Sequence, residues 1–135
     1  MKIIARTCRV LIVLWAGSLW SLLWVAAVLF HFQSDKHLAG VIAGRLFGIE
    51  TYLGMAVAAL VVMLPGRGRF RLGFAAVALL AVNEWLLTPA MRLAQTHGGA
   101  AGLSFGAWHG ISAVLYVLAC LCVAVMIYKD EYPHA

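Results

Sequence analysis

Apolar residues run almost unbroken through four stretches of the chain, about Val10–Phe32, Ala39–Leu64, Arg71–Met91 and Phe105–Tyr128. Each has the ~20 residues that a helix needs to cross a bilayer. Only helices and closed barrels satisfy their backbone in lipid, and continuous apolar runs of this length predict helices. The connections are short: QSDKHL; PGRGRF, with its Pro-Gly breaker; and a Gly-rich AQTHGGAAGLS segment. Such short links force antiparallel neighbours. The pattern therefore predicts an all-α membrane protein, an antiparallel four-transmembrane-helix bundle forming a single domain over residues 1–135.

Composition agrees. Of 135 residues, 64% are hydrophobic and 11% charged, and the mean hydropathy is +0.96. A soluble domain of this length has too little interior for so much apolar surface. The N-terminus has the basic-then-apolar order of a signal peptide, but its apolar stretch continues to Phe32 without a small-x-small cleavage site, so it reads as an uncleaved first span. The net charge of +5 does not point to nucleic acid, because the basic residues sit in short loops and form no stripe. They set the orientation instead. Lys2, Arg6, Arg9, Arg67, Arg69, Arg71 and Lys129 fall on one side of the membrane. Lys36 and Arg92 fall on the other, with Arg45 at the margin, which predicts both termini in the cytoplasm. Cys8, Cys120 and Cys122 show no zinc or disulfide spacing and read as ordinary cysteines.

With this orientation the polar residues inside the spans collect in one layer. Arg45 and Glu50 lie in the outer half of the second span, Asn83, Glu84, Thr88 and Arg92 in that of the third, and His109 and Ser112 in that of the fourth; His31 closes the first. Glu50 and Glu84 are each about 12–16 Å deep. Two arginines and two glutamates balance, as buried charges do when they pair. Arg45 and Glu50 are about 140° apart around their helix, so each is expected to meet a partner on another helix.

Helical phase groups Glu84, Thr88, Met91 and Arg92 into one stripe, and His109, Ser112, Ala113, Tyr116 and Cys120 into another. Trp20, Trp24, Ala27 and His31 make a third. Pro89 removes one backbone hydrogen bond and is expected to kink the third span. Gly40, Gly44 and Gly48 repeat every four residues, as do Gly102, Gly106 and Gly110. Small residues at that spacing let membrane helices approach closely, so these six are read as packing positions.

Each of these features also has a plainer reading. Arg45 can mark the membrane boundary and reach the surface with its long side chain. Glu50 and Glu84 can form a structural ion-pair network instead of a working site. His31 and His37 suit the interface, and the five tryptophans suit packing or lipid contact.

The runs LWAGSLWSLLWVAAVLFHF, DKHLAGVIAGRLFGIETYLG, TPAM and WHGIS resemble a bacterial family of small four-helix membrane proteins. That family is catalogued as a domain of unknown function and grouped with the animal transmembrane protein associated with cisplatin resistance. The resemblance spans nearly the whole chain, most strongly at Trp15, Gly17, Leu29-Phe30, Asp35, Ala39-Gly40, Ala43-Gly44, Leu46-Phe47, Pro89, His109-Gly110 and Ser112. Relatives often carry a proline before the Leu-Phe pair of the first span, where this chain has Ala27-Val28. The resemblance implies a multi-pass protein of the bacterial inner membrane and supplies no established chemistry.

Three functions remain open on these grounds. The first is a non-enzymatic bundle whose outer polar cluster binds or conducts a small ion, metal or polar ligand. Arg45, Glu50, Glu84, Arg92 and His109 would line it, and Asn83, Thr88, Ser112 and Tyr116 would complete its hydrogen bonding. The second is an accessory subunit or assembly factor, docking through its glycine faces on its own copies or on a larger membrane complex. The third is a haem or copper redox protein using His31, His109 or Met91, although no C-x-x-C-H attachment motif is present. A hydrolase is the weakest reading, since no G-x-S-x-G, H-E-x-x-H or phosphate loop occurs.

Overall fold

Hydrogen bonding carries the first helix further than hydropathy does. In the computed structural model, which describes residues 2–63 and 70–131, α1 spans Lys2–Phe32 and so begins well before Val10. The apolar run marks the part suited to lipid, while the helix itself continues through the basic KIIARTCR segment because an α-helix needs no apolar side chain to close its backbone bonds. α2 spans Lys36–Val62, α3 Arg71–His97 and α4 Phe105–Glu131. Each is long and apolar enough to cross a membrane. Most of the second connection, including Arg67 and Arg69, lies outside the described residues, as does the expected end of the second span at Leu64.

Local chemistry sets the boundaries. Asp35 caps α2, its carboxylate accepting from the amides of His37 at 2.9 Å and Leu38 at 3.1 Å. Ser104 does the same for α4, where its hydroxyl accepts from the Ala107 amide at 3.3 Å. Gly98 ends α3 in the left-handed region at φ +76°. Between them Ala100 and Leu103 exchange two backbone hydrogen bonds of 3.0 Å around Ala101 and Gly102, at φ +49° and +78°. This is the mirror-image type of tight turn. The Trp108 indole donates to the Ala100 carbonyl at 2.9 Å and ties the turn to α4.

Pro89 does not end α3. Asn83–Leu87 instead forms a π-turn between two α-helical segments, Arg71–Val82 and Thr88–His97. A proline ring clashes with the carbonyl four residues back and offers it no donor. One extra residue in the preceding turn absorbs the misfit: the Thr88 amide and hydroxyl both reach back five residues to the Asn83 carbonyl, the hydroxyl at 3.1 Å. The extra residue also breaks the expected stripe, since Glu84 and Thr88 no longer keep α-helical phase.

The most extensive packing is of α3 on α4 and of α1 on α2, with smaller contacts between α2 and α3 and between α1 and α4. The core joins Trp15, Ala16 and Leu19 of α1 to Val57, Ala58 and Val61 of α2, Ala76 and Leu80 of α3, and Tyr116, Ala119, Cys120, Val123 and Met126 of α4. Trp15, 1% exposed, packs against Gly54, where an added Cβ would sit 2.7 Å from the indole Cζ2. The tryptophan stripe expected on α1 faces outward: Trp20, Trp24, Ala27 and His31 are all exposed.

Candidate functional site

Each helix contributes a polar group to a tie with its neighbour. Between α1 and α2, Ser18 Oγ lies 2.7 Å from Glu50 Oε1. Between α2 and α3, the Glu84 carboxylate lies against Gly48, its Oε1 3.2 Å from where a Cβ would be. Between α3 and α4, Asn83 and Ser112 clasp each other: Ser112 Oγ donates to Asn83 Oδ1 at 2.6 Å, and Asn83 Nδ2 donates to the Ser112 carbonyl at 3.2 Å. Between α4 and α1, the buried Tyr116 hydroxyl donates to the Leu19 carbonyl at 2.9 Å. The Tyr116 ring meets Phe47 of α2 edge-on, centroids 4.7 Å apart. Adjacent or near-adjacent residues serve successive ties, so the four close into a belt around the bundle.

The two acids do not share a site. Gly48 and Glu50 point about 200° apart around α2, so Glu50 faces α1 while Glu84 fills the notch that Gly48 leaves toward α3. Glu50 is 5% exposed and Glu84 half-buried. The expected arginine pairing is not found, because neither acid forms an ion pair with another described residue. Arg45 and Arg92 are exposed. They lie on the outside of the bundle and do not neutralise its interior. His109 is also exposed and stacks on Phe105 of its own helix at 6.0 Å, and exposed His31 meets Phe32 edge-on at 4.8 Å. Met91 and Thr88 are half-buried. Among the described residues no three His, Cys, Asp or Glu side chains come together as a metal site would require.

The glycine motifs divide unevenly. Gly48 receives Glu84, and Gly40 meets Phe30 of α1 at 3.9 Å. Gly44 and Gly110 have nothing within 4 Å of an added Cβ, and Gly106 meets only the nearby Ser104. Gly102 lies in the turn, where its positive φ and not interhelical packing asks for glycine. The tightest interhelical glycine, Gly54, belongs to neither repeat.

Sequence reasoning also passed over Ser18 as the partner of Glu50 and Trp15 as the neighbour of Gly54. Ser18 stands alone as a hydroxyl on the inward face beside Leu19, and that isolation was its only signal. Its oxygen lies 2.8 Å from the Trp15 carbonyl as well as 2.7 Å from Glu50. One turn along the same interface, Trp15 Nε1 is buried with no hydrogen-bond partner among the described residues. A buried carboxylate, a hydroxyl placed between two acceptors and an unused indole N–H thus sit together where α1 meets α2. No protein-family model, curated protein or solved structure matches the chain.

Proposed function

We propose that this chain is a multi-pass protein of the bacterial inner membrane, an antiparallel bundle with both termini cytoplasmic, that binds or conducts a small cation at Glu50. The antiparallel arrangement is supported by contacts that climb one helix as they descend the next. Trp15 meets Gly54, Ser18 meets Glu50 and Phe30 meets Gly40; likewise Gly48 meets Glu84 and His37 meets Gln95. The excess of lysine and arginine on one side supports the orientation.

The observation that carries the functional reading is the burial of Glu50 with a hydroxyl, and no described cation, as its partner. An acid inside a membrane is costly, and its usual use is to exchange an ion. A purely structural carboxylate would be expected to hold an arginine, and both available arginines of the outer layer are exposed. The test is ion movement in proteoliposomes carrying a pH-sensitive dye, driven first by an acid pulse and then by a sodium or potassium gradient. Wild-type protein is expected to move charge in at least one arm and Glu50→Gln in none. Equal traces for wild type, Glu50→Gln and empty liposomes overturn conduction, and equal binding of protons, sodium and potassium by purified wild type and Glu50→Gln overturns the reading as a whole.

A further inference from the structure

We infer that the ion taken by Glu50 is the proton, and that Ser18 is the residue that selects it. This rests on the reading of Glu50 as an ion site and names the ion. The argument begins with a count of hydrogens. Ser18 Oγ stands at hydrogen-bond distance from two oxygens, 2.8 Å from the Trp15 carbonyl and 2.7 Å from Glu50 Oε1. A hydroxyl has one hydrogen, and a carbonyl or an ionised carboxylate has none to give. With Glu50 ionised, Ser18 donates to it and gives up the Trp15 carbonyl. With Glu50 protonated, its O–H donates to Ser18 Oγ and Ser18 donates to Trp15. Both short contacts are filled together only in the protonated form.

Uptake is then a plain transfer. Hydronium gives its proton to the Glu50 carboxylate and leaves as water, and the Ser18 hydrogen swings from Glu50 to the Trp15 carbonyl. Release reverses both movements, and no other bond is made or broken.

A metal cation is poorly served at the same place. Hard cations gather several oxygen ligands, six to eight for calcium. Here one carboxylate and one hydroxyl face each other, too few oxygens for such a shell. The Gly54 notch beside them is filled by the indole itself. No second acid can join, since Glu84 lies on the other side of α2. Among the described residues, the titratable groups that feel the Glu50 charge are Tyr116 and Cys120 of α4; neither is a cation. From α1 the facing group is the Ser18 hydroxyl.

The measurement is infrared difference spectroscopy of the full chain in lipid nanodiscs, following the carbonyl stretch of a protonated carboxyl group as pH is lowered. Glu50→Gln identifies the band by its loss, and Glu50→Asp, which keeps an acid, identifies it by displacement should the glutamine variant fail to fold. The band is expected to grow on acidification and to be unchanged by added sodium, potassium, calcium or zinc. Ser18→Ala is expected to move it to higher frequency, because the carboxyl loses its acceptor. Loss of the band on adding a cation at fixed pH overturns the inference while leaving Glu50 a cation site. A band of unchanged frequency in Ser18→Ala overturns the role of Ser18. Absence of any Glu50-dependent band across the pH range overturns the inference that the ion is a proton, and the proteoliposome measurement then decides separately whether Glu50 remains a cation site.

Discussion

Alanine at Gly54 and alanine at Gly44 are the same chemical change on the same helix, and the structure gives them opposite signs. At Gly54 the new methyl would lie 2.7 Å from Trp15 Cζ2, 3.1 Å from Cε2 and 3.2 Å from Nε1. The closest approach is about 0.7 Å inside the 3.4 Å at which ordinary contact begins. Neither party can yield easily, since the methyl is fixed to the helix and the indole is a rigid ring buried in the core. Overpacking of this kind costs about 1–3 kcal/mol. Against it stands the ~1 kcal/mol by which alanine exceeds glycine in a helix. At Gly44 nothing lies within 4 Å, so only the gain remains. Gly44→Ala should therefore be more stable than Gly54→Ala by about 1–3 kcal/mol. The assay is reversible unfolding in mixed micelles titrated with sodium dodecyl sulfate, followed by circular dichroism. Trp15→Phe, which lacks the benzo carbon the methyl would strike, should erase most of the Gly54→Ala penalty in the double variant. If Gly54→Ala matches Gly44→Ala, or if Trp15→Phe brings no relief, the account of that interface is wrong.

In the same titration, Asn83→Ala and Ser112→Ala should each destabilise, and the double variant should be little worse than either. Their coupling is expected near the ~0.6–1.7 kcal/mol measured for hydrogen bonds between membrane helices. In the turn between α3 and α4, Ala101→Gly relieves a left-handed alanine at φ +49°, while Gly102→Ala strains one at φ +78°; each change amounts to about 1–2 kcal/mol. The amide of Leu103, which donates to the Ala100 carbonyl, should exchange its hydrogen more slowly in the first variant and faster in the second.

The four long apolar helices were legible because hydropathy over twenty residues is a cumulative signal that no single residue can overturn. So was the gathering of polar side chains at one level: Glu50, Asn83, Glu84, Ser112 and Tyr116 all take part in the belt of ties. The partners were not. Periodicity places a side chain around its own helix but does not say which helix stands opposite, and so Ser18 escaped notice although it touches Glu50. Charge balance pointed to arginine–glutamate pairs, yet equal numbers of charges do not fix which face of a helix each occupies, and Arg45 and Arg92 lie on the outside. Counting glycines at every fourth position favoured Gly44 and Gly110 over Gly54, because what makes a glycine necessary is the size of the group facing it. The effect of Pro89 was foreseen as a lost bond; its accommodation by a π-turn depends on five residues acting together.

The belt of ties has the connectivity of a closed ring. Any one link can be cut and the remaining three still join all four helices in an unbroken path. Two cuts divide the ring of ties into separate pieces, whichever two are chosen, and leave the apolar core alone to hold them together. Tolerance of change should therefore fall not with the strength of a single link but with the number of links already lost. A substitution that is silent in the intact chain becomes disruptive in one that has spent its redundancy.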